Sequence, residues 1–291
     1  MRCLRGLVTL ALASTVAGFL IASHADSFGN IVDLRGLTPP YSMHRYCALS
    51  SGVVWSVGGH GFMSRQNVDG TVEERQVGST DLFGVFFVDD QQGWAVGEKG
   101  CILHTKDGGK RWTRQVVGVQ TDLEAIDCLD SKQCFIVGKS GTVLHTQDGG
   151  LKWENGGTRV SENLYAVDFA NQQVGCAVGD DGLVIWTFDG GKSWRVTRAP
   201  LVLHPYGPFA GPAPLYEVKV VSDRKAFLAG LAGLASTADG GQSWEIKVAE
   251  EHFIGLVWDG QKMWAVGHNS NNYCSEDAGT TWKKCKNPAN L

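Results

Sequence analysis

A short motif, Asp-x-Gly-x-x-Trp, constrains this chain more than any other feature because it returns five times: Asp107 with Trp112, Asp148 with Trp153, Asp189 with Trp194, Asp239 with Trp244, and Asp277 with Trp282. A reduced copy, Asp69-Gly70, precedes them, and successive aspartates are 38, 41, 41, 50 and 38 residues apart. A period of this length means a tandem of supersecondary units, none of which can bury its apolar face without its neighbours.

Two further elements keep step with the motif. An apolar stretch ending in glycine precedes each aspartate, as in Trp94-Ala95-Val96-Gly97 and Phe135-Ile136-Val137-Gly138. Earlier in each period lies a run opening on leucine, as at 82–87, 123–126, 164–169 and 215–218. Each period therefore holds four short runs of strand character and no amphipathic helical pattern, which is the signature of a propeller blade. The 38 glycines suit many tight turns better than helices.

The expected fold is an all-β propeller of six four-stranded blades near 46–78, 82–118, 123–160, 164–198, 215–249 and 252–286, with strands lettered a to d in chain order. In the best-preserved copy, d is expected over 111–117. The segment 27–34 is expected either to close the ring by pairing with the last blade or to contribute to a seventh. Glycine pairs such as Gly97 and Gly100 mark the b-to-c turns, where positive φ is needed. The aspartate motif is the c-to-d turn, where the carboxylate accepts backbone N–H groups and the Trp packs beneath the next blade.

Arg2, Arg5 and an apolar run to Ile21, followed by Ser23-His24-Ala25, read as a secretory signal cleaved after Ala25, leaving 26–291 as one domain. An uncleaved anchor is the rival, although the run falls short of the ~20 residues that span a bilayer. Cleavage moves the formal charge from −4 to −6 by removing two arginines, which disfavours nucleic acid as a partner. Export permits disulfides. Cys128 with Cys134, and Cys274 with Cys285, flank predicted hairpins and are candidate pairs; zinc is disfavoured because no Cys-x-x-Cys occurs.

The full unit, Gly-Trp-Ala-Val-Gly-x-x-Gly-x-Ile-Leu-x-Thr-x-Asp-Gly-Gly-x-x-Trp over 93–112, resembles the photosystem II stability and assembly factor family; its Asp turns resemble the Asp-box (BNR) repeats of sialidases. The first resemblance covers about 46–285. It implies an exported, non-enzymatic propeller in the periplasm, thylakoid lumen or extracellular space. It also implies a protein or peptide partner, such as a membrane-complex subunit, and no cofactor. The chain departs from that family in having six blades where members have seven, and in a Pro-rich insertion at 199–214. A monomer is expected.

The motif aspartates recur one per blade, too far apart for the ~5–9.5 Å separation of a glycosidase pair, so they are expected to cap turns. His104 and His145 occupy equivalent places in neighbouring blades and are read as structural. A sialidase-like hydrolase or carbohydrate binder is the alternative function; it would require an arginine triad and a Tyr/Glu nucleophile pair.

Arg114, Arg159 and Arg198, with Arg111 and Arg195, are expected on d strands along one flank. They either protect edges or dock an acidic partner segment, the role the resemblance implies for an arginine patch. On the face shared by b-to-c turns and d-to-a connections lie His60, Glu98, Lys99, Lys139, Asp180, Asp181, His268 and Asn269. The insertion rises beside them with His204, Tyr206 and Phe209, either to bind a partner or to plug the channel.

Overall fold

The computed structural model describes residues 4–7, 43–203, 211–268 and 271–285. Six antiparallel sheets follow one another, each meandering outward through four strands. Blade 1 comprises Met43–Ala48, Val54–Gly58, Phe62–Gln66 and Val72–Gln76; blade 2 comprises Leu82–Phe87, Gly93–Gly97, Cys101–Thr105 and Thr113–Arg114. The a strands of blades 3 to 6 are Leu123–Cys128, Leu164–Phe169, Leu215–Val220 and Phe253–Trp258. Successive a strands pack against one another, which places them innermost. The b strands are almost entirely apolar and are buried along their length in blades 1 to 5, as expected for strands covered on both faces.

Three of the six outer strands are very short, that of blade 2 shorter than expected. Strand d of blade 2 is only Thr113–Arg114, and its counterparts Glu154–Asn155 and Lys283–Lys284 also have two residues. Short, polar outer strands leave little free edge on which another sheet could grow.

A further short strand, Leu4–Leu7, pairs antiparallel with the inner edge of Met43–Ala48 and also packs against Phe253–Trp258 of blade 6. The segment 27–34, expected to close the ring, lies outside the described residues.

The motif turns explain the period. In blade 2 the Thr105 hydroxyl donates to Asp107 Oδ1 at 2.9 Å, while the Gly109 N–H donates to Thr105 Oγ1 and the Arg111 N–H to Asp107 Oδ1, each at 2.9 Å. The same lattice recurs at Thr146/Asp148, Thr187/Asp189, Thr237/Asp239 and Ser275/Asp277. Asp69 makes a smaller turn, accepting from both the N–H and the hydroxyl of Thr71.

The motif tryptophans pack against the preceding blade, where the sequence had suggested the next. Trp112 meets Trp55 of blade 1 edge-on at 6.0 Å, Trp282 meets Phe227 of blade 5 at 6.1 Å, and Trp153 donates its Nε1–H to Gln115 of blade 2 at 3.0 Å. Trp194 meets Phe169 within its own blade, and Phe169 stacks on Phe135 of blade 3 at 3.7 Å; Trp244 lies partly buried against the core of blades 4 and 5. The cause is the second motif glycine: a Cβ on Gly109 would stand 2.1 Å from the Trp55 ring, so only glycine admits the neighbour's aromatic there. This glycine has φ +77°, a conformation that side chains rarely adopt.

Two buried acids join blades from within. Asp127 Oδ2 accepts the Phe169 N–H at 2.7 Å, and Asp168 Oδ2 accepts the Val220 N–H at 2.7 Å. Each is an inner-strand carboxylate satisfied by the next blade's backbone, the condition for burying such a group at tolerable cost.

Cys128 and Cys134 face each other in the register and form a disulfide. Cys274 and Cys285 do not; both are free thiols. Cys274 pairs with Lys283, while the Cys285 N–H bonds to Asn272, so the two sulfurs are diagonal rather than opposite across the hairpin.

Candidate partner-binding face

Each inner strand begins with a bulge. The register slips between Leu82 and Gly84, Leu123 and Ala125, Leu164 and Ala166, Leu215 and Glu217, and Phe253 and Gly255. The extra residues are Phe83, Glu124, Tyr165, Tyr216 and Ile254, all half-exposed between buried neighbours. Bulges re-aim a side chain out of the pleat. Here they bring a residue that varies between blades to the same place, the b-to-c end of the innermost strand.

The bulge residues meet others from that face. The rings of Tyr165 and Tyr216 lie 6.1 Å apart, Tyr216 and His252 5.7 Å apart, and His252 stacks on His268 at 5.3 Å and 8°. An arc of four rings thus crosses blades 4 to 6. The Tyr165 hydroxyl donates to Asp180 Oδ1 at 2.8 Å, and Asn163 Nδ2 donates to Asp180 Oδ2 at 2.9 Å. Burial and the neighbouring Asp180 push the Tyr165 hydroxyl up to about 12. Burial pulls His252 down, reinforced by His268.

Below the arc, Arg45 reaches across the axis from blade 1. Its Nη2 donates to the Tyr165 carbonyl of blade 4 at 2.6 Å, and its Nη1 lies 3.7 Å from Glu217 Oε2 of blade 5. Both side chains are nearly buried, so the centre of the ring is closed by a charged pair.

The b-to-c turns carry the remaining candidates. His60, Lys99 and Asp181 all adopt left-handed φ near 55°, as does Ser140. The N–H of His60 donates to Asp81 Oδ1 at 2.6 Å, that of Lys99 to Asp122 Oδ1 at 3.1 Å, and that of Ser140 to Asn163 Oδ1 at 3.1 Å. Each acceptor precedes the next blade's a strand, so these turns staple consecutive blades. Lys139 Nζ is held by Asp122 Oδ2 at 2.6 Å, and Lys99 lies 3.8 Å from Glu98.

The structure thus brings Asp180 and His268 into the arc and places His60, Glu98, Lys99, Lys139 and Asp181 around it. Asn269, His204, Tyr206 and Phe209 lie outside the described residues. The insertion that carries the last three is rooted by a two-residue ladder, Val202–Leu203 with Gly211–Pro212, and Pro212 abuts Gly182, so its base stands on this face.

The arginines are not gathered into one contact. Arg114 is exposed on strand d of blade 2. Arg159 is exposed in the connection leaving blade 3, whose outer strand ends at Asn155, and Arg111 precedes the outer strand of blade 2, which begins at Thr113. Arg198 is committed to Glu162 and to the Asp181 carbonyl, and Arg195 to the Gly240 carbonyl while lying over the Phe188 ring.

The histidines of the c strands are structural. His104 stacks on Trp94 at 4.4 Å between the amides of Gln92 and Gln115, and burial pulls it down to about 4. His145 lies against Phe135 and 3.6 Å from Glu154. Among the described residues, no group of three or more His, Cys, Asp or Glu side chains could hold a metal ion. None of their helices is long and apolar enough to cross a membrane.

Residues 64–156 match the family model described as photosynthesis system II assembly factor YCF48. No curated protein matches the sequence. Similar solved structures include YCF48 bound to D1 peptide, with 18% identity and a TM-score of 0.62 over 80% of this chain and 76% of that one. YCF48 from Cyanidioschyzon merolae shares 16% identity with a TM-score of 0.62 over 82% and 83%. A GH74 enzyme from Niastella koreensis shares 16% identity with a TM-score of 0.58, over 81% of this chain but 36% of the enzyme. With the six blades and their Asp-box turns, these likenesses show that the chain is a β-propeller, and its first three blades carry the match to the photosystem II assembly factor family model.

Proposed function

We propose that this chain is an exported, non-enzymatic scaffold that holds a protein or peptide segment, such as one from a membrane complex, on its b-to-c face. The observation that carries the reading is the bulge. Where the scaffold repeats, the residues cap turns and join blades. Where it varies, at Phe83, Glu124, Tyr165, Tyr216 and Ile254, half-exposed side chains converge on one end of the inner strands. Variable positions on a rigid frame are where recognition resides. The matched family description and the peptide-bound YCF48 structure support a peptide partner. Export to the periplasm, lumen or exterior follows from the signal-like first 25 residues.

The hydrolase alternative draws on the GH74 likeness. Against it, the recurring aspartates are engaged by the hydroxyls and backbone N–H groups of their own turns. Cross-linking chain 26–291 to solubilised host membranes, followed by mapping of the linked peptides, tests the proposal. Links concentrated on the b-to-c face, with no turnover of a fluorogenic glycoside panel, are expected. Glycoside turnover, or links confined to the c-to-d turns, would contradict it.

A further inference from the structure

Resting on that reading of the b-to-c face, we propose that its mouth recognises a cationic side chain of an extended partner segment, held by the rings of Tyr165 and Tyr216 and the carboxylates of Glu124 and Asp180. The aromatic arc supplies the surface. The charge balance beside it selects the sign of the guest.

Glu124 is the bulge residue of blade 3. Among the described residues it makes no hydrogen bond or ion pair, although it is half-buried. Burial raises its carboxyl, and the fields of Asp122 and Asp180 add to this while those of Lys139 and Arg45 oppose it. Both of those cations are already committed: Lys139 to Asp122 at 2.6 Å, and Arg45 to the Tyr165 carbonyl and Glu217. Asp180 likewise has no ion-pair partner among the described residues; its two oxygens accept only the Tyr165 hydroxyl and the Asn163 amide. Asp122 and Glu217 thus engage the cations beside them, while Glu124 and Asp180 carry no ion pair among the described residues. A partly desolvated carboxylate without a counter-ion is costly, and an incoming ammonium or guanidinium removes that cost.

The rings add to the preference. Tyr165 and Tyr216 are half-buried and tilted by 50°, and ring faces attract a cation within about 6 Å. Further along the arc, His252 is held towards its neutral form, so it does not repel a positive guest and leaves an apolar face for the residue beside the cation. The sign is opposite to that expected of the outer arginines, so the two sites are separable by experiment.

The test pans a displayed random dodecapeptide library against immobilised chain 26–291, then resynthesises the consensus peptide. Enrichment of Lys or Arg is expected. Replacing that residue by norleucine should weaken binding about tenfold, as should Glu124→Gln without lowering the melting midpoint, with Tyr165→Leu in the same range for binding. Acidic consensus peptides, or affinity indifferent to both norleucine and Glu124→Gln, would overturn the proposal. If binding is instead lost in Arg114→Ala/Arg159→Ala/Arg198→Ala, the cationic site falls while the scaffold reading stands. If no peptide is enriched, both fall.

Discussion

Trp55 of blade 1 stacks on Phe87 of blade 2 at 4.7 Å and 12°, and Trp112 closes the arrangement edge-on to both. This triad is how one blade grips the next, and it depends on Gly109 having no side chain. Gly109→Ala should therefore destabilise the propeller by more than an ordinary glycine substitution, because a Cβ would meet the Trp55 ring at 2.1 Å. Trp55→Ala should cost about 3–5 kcal/mol. Denaturant midpoints of the two variants check this; a Gly109→Ala chain as stable as the parent would refute the packing.

Acid should loosen the motif turns. Asp107, Asp148, Asp239 and Asp277 are held below the usual carboxylate range by hydrogen bonds from their own turns, and Asp189 is lowered as well although burial opposes it. Because these folded-state pKa values are depressed, their contribution is complete above the unfolded-state pKa near 4 and is lost as pH falls through the folded values. Melting temperature should decline steadily below pH 4. Asp239→Asn should be less stable than the parent at pH 7 and should narrow that gap at low pH. A gap independent of pH would contradict the turn-capping account.

Mapping of cysteines should find two classes. Cys128 and Cys134 are linked, whereas Cys274 and Cys285 are adjacent thiols, with burial and its neighbour Cys274 pushing Cys285 up to about 12. Alkylation at neutral pH without reductant should leave Cys128 and Cys134 unmodified and label Cys285 slowly, since the thiolate is the reactive form. Rapid labelling of Cys285 would count against the burial described.

Loss of the first 25 residues should leave the fold intact. Leu4–Leu7 adds an edge to blade 1 and a contact with blade 6, but every blade keeps four strands of its own. Chain 26–291 should match the full chain in near-ultraviolet circular dichroism, and exported material should begin at Asp26. A truncated chain without tertiary signal would show that the added strand is part of the ring.

The blades were legible because the Asp-box period, the buried b strands and the b-to-c glycines are local patterns. The proposed recognition face was only half legible. Its residues follow the leucine or phenylalanine that opens the inner strands of blades 2 to 6, and their variety at a fixed position was visible, but the bulge that exposes them is a property of pairing between strands. Local spacing also concealed partners from other blades. Asp81, Asp122 and Asn163 look like ordinary pre-strand polar residues until the turn of the preceding blade is placed above them. Arg45 reads as a strand arginine, and only closure of the ring brings it to Tyr165 and Glu217. The outer arginines were legible as residues, but not that Arg159 would fall beyond a strand ending at Asn155 or that Arg198 would be engaged by Glu162.

The most direct test of the account is backbone amide NMR of chain 26–291 titrated with a binding peptide from the cross-linked partner. Shifts concentrated at Glu124, Tyr165, Asp180, Tyr216, His252 and His268 are predicted. Shifts confined to Arg114, Arg159 and the outer strands, with the inner-strand ends unmoved, would contradict it.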